Sequence, residues 1–123
     1  MNGKDRKREI GFLFAWNGLR EVLKSERNFR IHLVAAVFVI AAGLFFQLNL
    51  LQWTIIFLTI GLVLITEIIN TAVEKMIDYI KPEINQNAKI IKDISAGAVL
   101  LAAILAVIIG LLIFVSEMKE TFM

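Results

Sequence analysis

The stretch IHLVAAVFVIAAGLFFQLNLLQWTIIFLTIGLVLIT, residues 31–66, holds no Asp, Glu, Lys or Arg across 36 consecutive positions. Roughly 20 apolar residues carry a helix across the hydrocarbon core of a bilayer, so this stretch is too long for one crossing. It is expected to fold back once, at the polar interruption formed by Gln47, Asn49 and Gln52. That reading puts a first span at about 30–48 and a second at about 51–80, the second continuing through polar positions toward Tyr79. Another uncharged stretch, residues 94–116, lies within a third span at about 88–116.

The composition points the same way. Of 123 residues, 59% are hydrophobic and 20% charged, with a mean hydropathy of +0.77. A water-soluble domain this small needs far more polar surface to cover its core. The chain has no cysteine, which excludes a disulfide scaffold, a thiol nucleophile and cysteine-ligated metal. His32 is the single histidine, so no histidine cluster and no Ser–His–Asp hydrolase is expected. At the start of the first span it reads as an interface or packing residue. Thirteen basic against eleven acidic residues leave a net charge of +2, too little to imply nucleic acid as a partner.

The placement of charge says more. Lys4, Arg6, Lys7, Arg8, Arg20, Lys24, Arg27 and Arg30 precede the first span, and Lys75, Lys81, Lys89 and Lys92 fall between the second and third. The reversal at 47–52 has no basic residue, and the C-terminal tail has only Lys119. Cytoplasmic loops carry the excess of Lys and Arg, so the N-terminus is expected in the cytoplasm and the C-terminus outside. The segment ahead of the first span, about 5–28, sets Phe12, Leu13, Trp16, Leu19 and Leu23 against Arg20, Glu21 and Lys24 at helical spacing, which suits an amphipathic helix lying in the membrane interface. Arg20 and Glu21 interrupt its apolar run, and a cleaved signal peptide is not expected. The expected fold is therefore an all-α integral membrane protein, one domain over 1–123, with an interfacial helix and three transmembrane helices.

The chemistry is concentrated in the run Glu67-Ile-Ile-Asn-Thr-Ala-Val-Glu-Lys-Met-Ile-Asp78. At about 100° per residue, Glu67, Asn70, Glu74 and Asp78 project within roughly an 80° arc of one helix face. Ionisable groups at the edge of a membrane span are costly and usually face a bundle interior, an aqueous cleft or a cation. Glu74 and Asp78 also read as a solvated face of a helix that has left the bilayer; Glu67, directly after an uncharged run, does not. Glu26, Arg30, Lys92 and Asp93 are expected at the same interface. Glu26 and Glu74 offer oxygen ligands for magnesium, which takes one or two carboxylates together with substrate phosphates. Lys92 offers a point charge for a phosphate. Ser95-Ala96-Gly97-Ala98, with Ala102, Ala103 and Ala106, forms a small-residue face sufficient for close helix packing. Neither a P-loop nor a dinucleotide-binding glycine motif occurs in the chain.

Four segments carry a resemblance to a known family: Ala15-Trp16-Asn17-Gly18-Leu19-Arg20, Glu26-Arg27-Asn28-Phe29-Arg30, Glu67-Ile68-Ile69-Asn70-Thr71-Ala72-Val73-Glu74, and Ala88-Lys89-Ile90-Ile91-Lys92-Asp93 with Ser95-Ala96-Gly97-Ala98. In order and spacing they resemble the small prokaryotic diacylglycerol kinases, a family that includes the undecaprenol kinases. The resemblance implies a homotrimeric lipid kinase that uses ATP and Mg2+. It implies Glu67 as general base with Asn70 orienting it, and Glu26 and Glu74 as metal ligands. Lys7 or Arg8, Phe14, Glu26, Glu74, Glu83, Ile84, Asn85, Lys92 and Asp93 would lie toward ATP, although Phe14 stands where other members have tyrosine. Trp16, Arg30, Glu67 and Ala96 would lie toward the lipid. Phe29-Arg30-Ile31-His32 is similar to the undecaprenol kinases of Gram-positive type, where diacylglycerol kinases tend to carry Gln-Glu in place of Ile31-His32. The rival expectations are a non-enzymatic membrane protein with structural ion pairs, and a transporter using Glu67 as a relay.

Overall fold

The computed structural model describes residues 3–81, 83 and 85–123, with side chains from Glu9 onward. These residues form four helices: α1 (Gly3–Ser25), α2 (Arg27–Phe45), α3 (Leu50–Ile80) and α4 (Gln86–Phe122). The last three are each long and apolar enough to cross a membrane. At about 1.5 Å per residue, the 31 residues of α3 and 37 of α4 extend beyond a ~30 Å hydrocarbon core.

The reversal between α2 and α3 is closed by its own polar residues. The N–H of Gln47 donates to the Leu44 carbonyl and that of Leu48 to the Gly43 carbonyl, the paired bonds of a Schellman helix end. Gln47 occupies the left-handed position there, with φ 54°, where glycine is usual. Leu48 is buried. Asn49 then caps α3 through a capping box, its Oδ1 accepting from the Gln52 N–H at 2.8 Å while Gln52 Oε1 accepts from the Asn49 N–H at 3.0 Å. Gln52 also donates from Nε2 to Glu117 Oε1 at 2.8 Å, which ties this end of the hairpin to α4. Gly43 lies under Trp53 so closely that an added Cβ would come within 2.6 Å of the indole.

A second break falls at Glu26, earlier than the boundary near 28–30 expected from the sequence. Glu26 adopts extended angles (φ −111°, ψ 109°) between α1 and α2. Arg30 stabilises the elbow by donating from Nη1 to the carbonyls of Leu23 and Lys24, at 2.9 and 2.8 Å, which α1 leaves unsatisfied at its C-terminus. Val22 and Phe29 bury against the fold on either side of it. α2 consequently spans 27–45 rather than 30–48, because the Schellman end stops it at Phe45. α4 runs through 86–122 rather than 88–116: Asn85 caps its start by accepting from the N–H groups of Asn87 and Ala88, and polar residues from Glu117 onward continue the helix.

The most extensive packing is between α3 and α4. Ile56 and Val63 on α3 and Ala102 on α4 are buried, with Ala102 drawn from the small-residue face. Much of the remaining apolar surface, including Phe38, Phe57, Leu58, Leu101 and Leu112, faces outward, as it must where hydrocarbon or neighbouring protein takes the place of water.

Candidate active site at the basic end of the helices

Opposite the reversal, the second half of α3 carries three carboxylates, Glu67, Glu74 and Asp78. Glu67 lies 17 residues beyond Leu50, about 26 Å along the helix, close to the edge of a ~30 Å core. Its side chain is 5% exposed, and Oε1 lies 3.1 Å from His32 Nε2 on α2. Thr71, also buried, turns its hydroxyl back to the Glu67 carbonyl at 2.9 Å. One turn along the stripe, Asn70 donates from Nδ2 to Glu74 Oε1 at 3.2 Å. Among the described residues Asn70 Oδ1 is buried with no hydrogen-bond partner, an acceptor left over beside the Glu74 carboxylate. Farther out, Asp78 pairs with Lys92 of α4, and Lys75 reaches Glu21 of α1 at 3.7 Å.

The connection between α3 and α4 encloses a second polar feature. Asp78, Lys81, Glu83, Asn85, Lys89, Lys92 and Asp93 line an open cleft of about 230 Å3. Within it Lys89 pairs with Asp93 at 2.7 Å and Lys81 with Glu83 at 3.8 Å. Four residues expected toward a nucleotide, Glu83, Asn85, Lys92 and Asp93, thus share one cavity through the fold of a short loop. The stripe and the cleft are continuous along α3, joined at Asp78.

Comparison with known proteins decides what this arrangement belongs to. The family described as prokaryotic diacylglycerol kinase matches residues 13–114. The chain belongs to that family. The undecaprenol kinase of Bacillus subtilis is 39% identical over 123 residues, covering 96% of this chain and 100% of the relative. The diacylglycerol kinase of Synechocystis sp. is 43% identical over 102 residues, 82% of this chain and 58% of the relative. That of Escherichia coli is 32% identical over 95 residues, 77% of this chain and 78% of the relative. This family member is accordingly a lipid kinase and a membrane protein.

The single chain does not bring every expected site residue together. Glu26 sits half-buried in the elbow, where its side chain makes no cap, and among the described residues no three His, Asp or Glu side chains gather as a metal cluster. Arg30, expected toward lipid, spends its guanidinium on the end of α1. Phe14 and Trp16 are exposed on α1, and Ala96 is exposed on α4. Ile84 and the Lys7 side chain lie outside the described residues.

His32 is the residue that motif reasoning passed over. Its signal was nevertheless available in the hairpin: a chain that reverses near Gln47–Gln52 returns residue 67 to the level of residue 32. A polar residue at each end of an uncharged stretch, at matching depth, is a candidate pair.

Proposed function

We propose that this lipid kinase transfers the γ-phosphoryl group of ATP to the hydroxyl of undecaprenol, making undecaprenyl phosphate. The observation that carries the site assignment is the burial of Glu67 at the edge of the bilayer. A lipid alcohol keeps its tail in hydrocarbon and presents its hydroxyl at that depth. The similarity to an undecaprenol kinase over that relative's entire length supports the choice of substrate.

In the proposed reaction the lipid oxygen attacks the γ-phosphorus, its proton passes to the Glu67 carboxylate, and the bond from the γ-phosphorus to the bridging oxygen breaks to release ADP. Phosphoryl transfer asks for positioning and charge neutralisation more than covalent help. Asn70 orients the base and substrate, and Lys92 exchanges its Asp78 partner for the phosphates. Glu83, Asn85 and Asp93 line the space for the nucleotide. The donor set suits Mg2+, a hard cation that takes carboxylate oxygens alongside substrate phosphates. Glu26 and Glu74 would hold it, and it would offset the charge of the phosphates.

Glu26, in the elbow between α1 and α2, and Glu74, on α3, lie on separate segments of a small chain, and a homotrimer whose sites lie between subunits is the assembly we favour. The distribution of Lys and Arg supports a cytoplasmic N-terminus, with α1 in the interface of the bacterial cytoplasmic membrane.

The test is transfer of labelled γ-phosphate in mixed micelles, with undecaprenol and diacylglycerol offered at equal mole fraction, with and without a magnesium chelator. Faster labelling of undecaprenol that disappears with chelation is expected. Faster labelling of diacylglycerol would overturn the substrate assignment and keep the chemistry, and activity that survives chelation would remove the metal.

A further inference from the structure

Glu67 is a buried carboxylate whose one polar side-chain partner among the described residues is His32, 3.1 Å away. Burying a carboxylate is costly unless a partner compensates. Among the described residues the only other side-chain hydrogen bond to Glu67 comes from the Thr71 hydroxyl, and that goes to the backbone carbonyl. The carboxylate therefore depends for its orientation on an imidazole from a different helix. The imidazole itself has two faces of different character. Its side chain is 27% exposed, and beyond Glu67 it forms the polar lip of an apolar cavity of about 110 Å3 between α2, α3 and α4, lined by Ala36, Val39, Ile60, Val63 and Ala106. A cavity of roughly 150 Å3 holds a benzene ring in another protein. This one is of a size to take a short hydrocarbon segment.

We propose that His32 is a positioning residue for the phosphoryl-transfer reaction, its imidazole at the lip of the apolar cavity and its Nε2 holding the Glu67 carboxylate for an arriving lipid hydroxyl. The inference rests on Glu67 being the base. His32 neither accepts the substrate proton nor contacts ATP. Its role is to fix the rotamer of the group that does. A base held in place reacts faster than one that samples other rotamers, and a displacement of about 1 Å can cost on the order of 100-fold. The effect belongs in kcat for the lipid and leaves the KM for ATP alone.

The chain has one histidine, so a single set of imidazole resonances reports on this contact in the full chain in detergent micelles. With 15N-labelled histidine, Glu67→Gln should move the Nε2 resonance, while Glu117→Gln at the opposite end should leave it in place. His32→Leu should lower kcat by about 10- to 100-fold with the KM for ATP unchanged. His32→Gln, whose amide N–H can still face the carboxylate, should recover most of the loss. A resonance indifferent to Glu67→Gln, a kcat for His32→Leu close to that of the parent, or equal losses in the Leu and Gln variants would each overturn the proposal. If His32→Leu fails to fold, the resonance and the His32→Gln variant decide. Should Glu67→Gln itself retain lipid phosphorylation, the base assignment falls first. Should it abolish phosphorylation while the resonance stays put, only the role of His32 falls.

Discussion

Glu67→Gln separates a catalytic carboxylate from a structural one, because the two roles predict opposite balances of activity and stability. The amide has the same shape and still faces His32 across the 3.1 Å contact, so packing between α2 and α3 survives. The Thr71 bond to the Glu67 carbonyl is a backbone contact and is untouched. What disappears is the proton-accepting carboxylate of a side chain only 5% exposed, while the amide keeps a hydrogen-bonding partner. Stability should therefore change by no more than about 1 kcal/mol. Activity changes far more. General base catalysis contributes about 10²- to 10⁴-fold, equivalent to roughly 2.7–5.4 kcal/mol of barrier. The assay pairs initial rates of labelled phosphate transfer to undecaprenol with thermal unfolding of the same preparation, followed by circular dichroism. A rate loss below about tenfold would refute the base. A large loss accompanied by a matching drop in unfolding temperature would refute the reasoning in favour of a structural ion pair.

Two other perturbations probe the scaffold that presents the site. Arg30→Ala strips the guanidinium from the Leu23 and Lys24 carbonyls; on a solvent-exposed elbow this should cost about 1 kcal/mol and be seen as faster hydrogen exchange in the last turn of α1. Gln52→Ala removes one half of the capping box and the bond to Glu117. The combined cost should be about 2–3 kcal/mol in an unfolding titration, with kcat unchanged, since the reversal lies at the end of the hairpin opposite Glu67.

Several parts of this architecture are legible one segment at a time. The interruption at Gln47, Asn49 and Gln52 is visible because polar residues in an uncharged run must be doing something other than spanning. In the structure they build a helix end and a capping box. The stripe of Glu67, Asn70, Glu74 and Asp78 is visible because helical periodicity alone places it on one face. Local hydropathy is weaker at boundaries. It does not detect the elbow at Glu26, which follows from Arg30 satisfying carbonyls six and seven residues upstream. Nor does it assign partners: that Lys92 stands beside Asp78 follows from the packing of α4 against α3.

The sequence by itself determined that this chain crosses a membrane in helices, where it reverses, and that Glu67, Glu74 and Asp78 lie at one end of one helix. Those properties depend on solvation and on a fixed helical repeat, both of which are carried by neighbouring residues. The tertiary structure decided that His32 stands against Glu67 and that Lys92 stands against Asp78. Each pairing depends on how two separate helices are rotated about their own axes, and that rotation is set by packing of groups distant along the chain.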